Sequence, residues 1–341
     1  MKRKLRNIMT VVSICSVAAL FSACGGKSGS SDTSGTPPSL YNGKTSQANI
    51  SVDSVKNSLV SVKEVFPSCN TTGLSKVALS DQAKSVYSLI TIARRVLQPA
   101  VSKRVGKSVS LISSTPPVPK NGDCGGTLSY PTYSHVSGTT SVAVKWDNYC
   151  TTDSTGNKTI YNGTLSAIDA GTPGASGPVT TKLTANVPAL TIVEKNAAGT
   201  IITSETIALT GLEYVPETGA SASVSNLPGS TKFASFEVRE SITNKEYKLE
   251  NVITTTSKIG TDTQIVMSGR IYRSTSGYSD LSTDTPLLID SSQNFKSGVV
   301  SFTGAGGHKA TLTTVPGTGQ TFTVDVDGVP ISGVQLKCGG L

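Results

Sequence analysis

Histidine, methionine and tryptophan are nearly absent, at 2, 3 (Met) and 1 (Trp) of 341 residues, and aromatic side chains make up only 5%. The two histidines, His135 and His308, lie far apart in sequence, neither has a second histidine at ligand spacing, and no Cys-x-x-Cys occurs. A zinc site and a covalently attached c-type haem are therefore unsupported. Nucleophilic hydrolysis is equally poorly served, because there is no Gly-x-Ser-x-Gly elbow. His135, in a predicted turn, and His308, after Gly306-Gly307, read as solvent-facing turn residues. Beyond the N-terminus the chain also lacks any Lys/Arg cluster interleaved with aromatics, which argues against a nucleic-acid partner.

What is present begins with the N-terminus. Lys2, Arg3, Lys4 and Arg6 precede an apolar stretch from Ile8 to Leu20 that is too short for a stable transmembrane helix. Small residues follow, and residues 1–23 read as a secretory leader. The stretch Leu20-Phe21-Ser22-Ala23-Cys24 resembles the lipobox of bacterial lipoproteins, with Phe21 where that family usually carries an aliphatic and the leucine one position earlier. The resemblance implies a diacylated Cys24 sulfur, cleavage before Cys24 and acylation of the new amino group. Several acyl chains suffice for stable attachment, since each buried CH₂ is worth about 0.8 kcal/mol. Gly25, rather than an aspartate, follows the cysteine, which by the same resemblance implies the outer membrane of the cell envelope. Residues 24–45 are then the lipidated cysteine and a tether, whose Gly/Ser/Thr/Pro tract from Gly25 to Pro38 cannot pack a core.

The formal net charge of +8 is partly a property of the leader. Removing its four basic residues takes 30 Lys+Arg to 26, against 22 Asp+Glu. A mildly basic surface of this kind suits anionic lipid headgroups or polysaccharide rather than nucleic acid. Of six cysteines, Cys15 leaves with the leader and Cys24 carries lipid. Four remain, an even number in an oxidising compartment, and three connectivities are open. Cys124 and Cys150 are spaced symmetrically about the Ser137-Gly138 turn signal, which favours a disulfide across that hairpin. Cys69 with Cys338 follows by elimination.

Residues 46–105 read as helical. Val55, Leu59, Val62 and Phe66 recur at helical spacing, with Asp53 as cap and Pro67 as stop; a second helix runs from Asp81 to Gln98 before Pro99. From residue 106 to 341 the pattern is that of strands. Val142, Val144 and Trp146 alternate with Ala143, Lys145 and Asp147, and hairpin signals lie at Asn196-Ala197-Ala198-Gly199 and Thr243-Asn244. Pro188 inside a strand marks an edge or a bulge. Strands joined by short turns, with no helix between them, predict a mainly β fold. The expected form is an antiparallel meander of roughly ten strands, curved into a half-barrel or open barrel, since a sheet that wide must curl, close or split. Two short N-terminal helices would pack on it; a two-sheet sandwich is the alternative. Ser268 to Leu287 and Ser297 to Thr313 are similar in style to Gram-negative envelope lipoproteins that join a lipobox to a run of β-hairpins.

Chemistry in the β region is sparse. Asp325-Val326-Asp327-Gly328 echoes the start of a calcium loop, but the further acids are missing, and an Asp-Gly hairpin turn is the simpler reading. Gly304-Ala305-Gly306-Gly307 lies between strands, not before a helix, and so reads as a turn rather than a phosphate loop. No cofactor is implied. The sequence points to a lipid-anchored outer-membrane lipoprotein with a non-catalytic binding or envelope-structural role. Its expected partners are the membrane itself and a lipid, polysaccharide or envelope protein. A periplasmic carrier of an apolar ligand and a polysaccharide-acting enzyme with two carboxylates are the other classes.

Overall fold

The computed structural model describes residues 39–51, 118–172, 179–217, 229–292, 294–317 and 321–337. Both expected helices fall outside these residues, apart from Ile50 and Ser51, which are not helical. So do Cys24, Cys69 and Cys338. The strands form one antiparallel sheet in strict chain order, with the first strand at one edge and the fourteenth at the other, so the sheet is not closed by pairing. They are β1 Lys120–Asn121, β2 Thr127–Val136, β3 Thr139–Thr152, β4 Lys158–Thr172 and β5 Val179–Lys195. Next come β6 Ile201–Pro216, β7 Gly229–Glu240, β8 Lys245–Ile259, β9 Asp262–Arg273 and β10 Gly277–Ile289. The last four are β11 Phe295–Thr303, β12 Lys309–Thr314, β13 Thr321–Val326 and β14 Val329–Lys337.

The meander is therefore wider than the sequence suggested, and it is a single sheet rather than a sandwich. Its turns follow local chemistry. Ser137-Gly138 and Asp327-Gly328 join β2 to β3 and β13 to β14, and each pair has positive φ at both residues (48° and 79°; 52° and 78°). That is the primed-turn geometry whose twist matches the flanking strands. At Asn196, the backbone N–H bonds the Thr200 carbonyl and the side-chain Oδ1 accepts the Thr200 N–H, closing the β5–β6 turn. Pro188 sits in the interior strand β5, where the pairing with β6 shifts register on either side of Val187. A bulge accommodates the missing N–H there.

Alternation gives the sheet one apolar face. On β3, Val142, Val144 and Trp146 are buried while Lys145 and Asp147 are exposed. The buried residues join into one cluster running from Val142 on β3 to Val324 on β13. Aromatic residues are few, yet all five phenylalanines among the described residues, Phe233, Phe236, Phe295, Phe302 and Phe322, lie in it. Each fully buried side chain of this kind contributes about 1.5–3 kcal/mol relative to exposure. The opposite face carries charges paired across strands, such as Glu213 on β6 held between Lys182 on β5 and Lys232 on β7.

The narrow edge is stapled. Cys124, between β1 and β2, is bonded to Cys150 on β3, with Cα atoms 5.1 Å apart, and the Cys150 N–H donates to the Gly125 carbonyl at 2.9 Å. The bridge spans a sequence separation of 26. In the chain-entropy account a loop of that size is worth about 3 kcal/mol. Replacing both Cys124 and Cys150 by serine is expected to lower the unfolding free energy by roughly that amount, read from urea denaturation, with protease cutting first near β1. An unchanged urea midpoint would refute the staple.

Candidate functional site

The residues with most to say about function gather at one end of the sheet, where the β7–β8, β9–β10 and β11–β12 turns lie. Residues 39–51 are drawn across this end as an extended strap. Composition assigned residues 39–45 to the free tether, but the structure docks them. The Glu237 carboxylate on β7 accepts three hydrogen bonds through Oε2, from Ser39 Oγ at 2.9 Å, the Leu40 N–H at 2.6 Å and the Tyr41 N–H at 3.2 Å. The Asn42 N–H donates to Glu246 Oε2 at 2.9 Å, while Arg239 Nε donates to Glu246 Oε1 at 2.7 Å. Hydrogen bonds to a carboxylate are among the stronger ones, each about 1.5–3 kcal/mol in favourable sites.

Beyond Asn42 the strap becomes part of the sheet. The Lys44 N–H donates to the Ser274 carbonyl, the Tyr278 N–H to the Ser46 carbonyl and the Ala48 N–H to the Tyr278 carbonyl, at 3.1, 2.9 and 2.6 Å. A parallel bridge at Gln47 and Tyr278 marks this added pairing. Two glycines make room for it. A Cβ at Gly277, whose φ is +95°, would strike the Ser46 carbonyl oxygen, and a Cβ at Gly304 would strike that of Ala48. Ile50 then packs against the buried cluster, so the strap crosses from the charged face to the apolar one.

Under the strap lies a cross-strand row of polar side chains, Glu237, Lys248, Tyr272 and Tyr278, in register on β7 to β10. The Tyr41 ring leans on Tyr272 at 5.7 Å between centroids. Burial, then the nearby Glu246 carboxylate and Tyr272, push the Tyr41 phenol up to about 12. Lys248 Nζ lies 2.8 Å from Glu250 Oε1, and the Tyr272 hydroxyl donates to Glu250 Oε2 at 2.9 Å. Burial works against ionising Glu250, but these two bonds outweigh it and hold the carboxyl below its ordinary range. Arg270 Nε donates to Asp280 Oδ1 at 2.7 Å, and its guanidinium sits 4.0 Å from the Tyr278 ring centroid. The hydrogen bond to Asp280 is the main reason its pKa is raised. These charges satisfy one another, and the row holds strands and strap together.

Arg273 is different. Alternation along β9 buries Ile265, Met267 and Ile271. Arg273 lies two residues further on, on the apolar side, and is register-paired with Tyr247 on β8 and Gly277 on β10. Its Nε and Nη2 are shut off from solvent and meet no hydrogen-bond partner. Burial lowers its pKa to about 10, partly offset by Tyr247 and Tyr41. Arg273 as a whole is half-buried, and two guanidinium nitrogens in this state cost the fold stability.

The residues singled out from sequence are scattered by comparison. Asp325 accepts the Gly328 N–H through Oδ1 at 3.2 Å, and Asp327 accepts the Lys309 N–H at 2.8 Å while its Oδ2 lies 2.8 Å from His308 Nδ1. They form the hairpin turn, and among the described residues no three His, Cys, Asp or Glu side chains gather as for a metal ion. Gly304 to Gly307 form the β11–β12 turn, with a short 3-10 segment at Ala305–Gly307. His135 Nδ1 lies 3.0 Å from Thr140 Oγ1 across the β2–β3 hairpin. Neither the strap's partners nor Arg273 were visible in the sequence, because acids and arginines on alternating strands carry no local signal of what they face. No protein-family model matches the chain, and no similar curated protein or solved structure was found.

Two outcomes test this geometry. Glu237→Ala removes the acceptor of three bonds and is expected to speed tryptic cleavage after Lys44 about tenfold or more, the factor that roughly 1.4 kcal/mol brings. Cleavage at the wild-type rate would mean that Glu237 does not hold the strap. Arg273→Met replaces an uncompensated charge with an apolar chain and is expected to raise the melting temperature by roughly 2–4 °C. A fall in melting temperature would reveal a charge partner within the chain.

Proposed function

We propose that this chain is a lipid-anchored protein of the bacterial outer membrane, attached through Cys24, whose β body has a non-catalytic binding or envelope-structural role. The observation that carries the reading is the strap. Residues that directly follow the Gly/Ser/Thr/Pro tract are bonded into β7, β8 and β10 rather than trailing free. An anchor at Cys24 would thereby hold a rigid body by one defined end. The tract from Gly25 to Pro38 supplies the reach, at most about 3.3–3.6 Å per residue.

The body suits binding or scaffolding more than catalysis, because the charged groups under the strap are committed to one another. We place two short helices, within residues 52–66 and 81–98, over the apolar face of a sheet curved into a half-barrel. Two features support that arrangement: the near-complete burial of that face from β3 to β13, and Ile50, which brings the chain onto it.

Growth with an alkyne-tagged palmitate followed by purification tests the anchor. The wild-type chain is expected to carry the tag and Cys24→Ser to lose it, with the N-terminal peptide of the wild type starting at a modified Cys24. A wild-type chain that exports without taking up the label would overturn the proposal.

A further inference from the structure

Two neighbouring hairpin tips carry isoleucine into the open. Glu205 and Glu240 form the last register pair of β6 and β7 at this end, so Ile201 and Ile202 project beyond that pairing. They are 45% and 51% exposed, and Ile242 in the β7–β8 turn is 51% exposed. The Ser241 N–H donates to the Ser204 carbonyl at 2.7 Å, which lays the β7–β8 turn alongside the start of β6 and joins the three isoleucines into one patch. Ala197 and Ala198, exposed at the tip of the β5–β6 hairpin, extend it. The turns themselves do not call for apolar side chains, since Asn196 closes one through its Oδ1 and Asn244 supplies the positive φ of the other. Single exposed apolar residues are ordinary, but a group of them on projecting tips marks a contact surface. Beside the patch, Lys158 and Lys195 stand directly opposite each other on β4 and β5, an arrangement that repels until an anion meets it. Asp153, the acid of the β3–β4 turn, is engaged by the Thr155 and Asn157 N–H groups.

The strap says what this surface meets. The chain enters the described body at Ser39, bonded to Glu237, which lies five residues before Ile242, or roughly 17 Å at the usual rise per strand residue. The other end of β7, at Gly229, is roughly 26 Å away. A Gly/Ser-rich stretch of the length of Gly25 to Pro38 spans roughly 20 Å on average. A body attached through Cys24 therefore has these tips within the tether's ordinary reach of the bilayer. We propose that the β5–β6 and β7–β8 tips rest on the phospholipid surface, with Ile201, Ile202 and Ile242 among the acyl chains and Lys158 and Lys195 at the anionic headgroups. The proposal rests on the anchor reading for the side from which the chain arrives, and it adds a second contact made by the folded body itself. Apolar side chains leave water there, and cations gain from the negative surface. A body held by a tether alone turns freely; one held by tether and tips keeps the opposite end of its sheet away from the membrane.

Quenching of tryptophan emission by brominated lipid tests the contact. The full chain, purified as the cell exports it, is bound to vesicles of phosphatidylethanolamine and phosphatidylglycerol with dibrominated acyl chains. Ile242→Trp places a reporter in the patch, Val136→Trp places one beside the β2–β3 turn at the opposite end, and the wild type, whose sole tryptophan is the buried Trp146, sets the baseline. Emission from the Ile242→Trp chain is expected to be quenched several-fold more than that from the Val136→Trp chain. Equal quenching at the two ends, stronger quenching in the Val136→Trp chain, or none above the wild type in the Ile242→Trp chain would overturn the proposal. If the exported chain carries no acyl group, flotation with the same vesicles decides the matter without the anchor. A fall of about tenfold in the double variant Ile202→Ser, Ile242→Ser would keep the contact and discard the anchor, whereas flotation equal in both chains, or absent from both, would discard the contact as well.

Discussion

One-sided burial of an uninterrupted antiparallel ladder is the constraint on which the rest of this molecule depends. Because side chains alternate, a one-residue slip in any pairing would turn an apolar set outward and a charged set inward. The register is therefore fixed strand by strand from β2 to β13, and the cross-strand neighbours on both faces follow from it. The phenylalanines fill one face. On the other, Glu213 meets Lys182 and Lys232, and Arg270 meets Asp280. Where the alternation must be broken, the chain inserts bulges, as at Pro188, rather than losing the ladder.

The same ladder explains how a chain with so few chemically distinctive residues can still present a specific surface. Exposed ion pairs are individually worth little. The row under the strap differs because Tyr41, Leu40 and Asn42 cover it, and its groups are joined in a network rather than in isolated pairs. Glu237 accepts from three donors on the strap, two of them backbone N–H groups. Arg273, one side-chain alternation away from Tyr272, faces the opposite environment. Adjacent residues on one strand thus serve a structural network and an unmatched charge.

Much of the architecture was legible from local chemistry. Ser137-Gly138, Asn196 to Gly199, Thr243-Asn244 and Asp327-Gly328 all fall at hairpin turns, since each depends on residues that tolerate positive φ or bond their own backbone. The pairing of Cys124 with Cys150 was legible for the same reason. β10 carries little strand signal of its own because serine, threonine and aspartate crowd its sequence, so its apolar alternation at Leu281, Leu287 and Ile289 is weak until β9 and β11 flank it. Composition puts residues 39–45 of the strap in the tether and 46–51 at the start of the helical segment, because Ser39 to Lys44 carry no strand pattern; their fate is decided by Glu237 and Glu246. Burial of Arg273 likewise depends on neighbours from other strands. Local signals revealed the turns, whereas the site required the register.

The strap also sets an order of events. Every strand of the sheet pairs with the one before it, so the ladder can grow hairpin by hairpin as the polypeptide emerges, with little loop entropy to overcome at any step. Residues 39–51 are the exception. Ser39 lies 198 residues before Glu237, and its acceptor does not exist as a positioned group until β7 has paired with β8. A segment that emerges before every strand is thus among the last to find its place, and its docking marks a body whose central strands are complete.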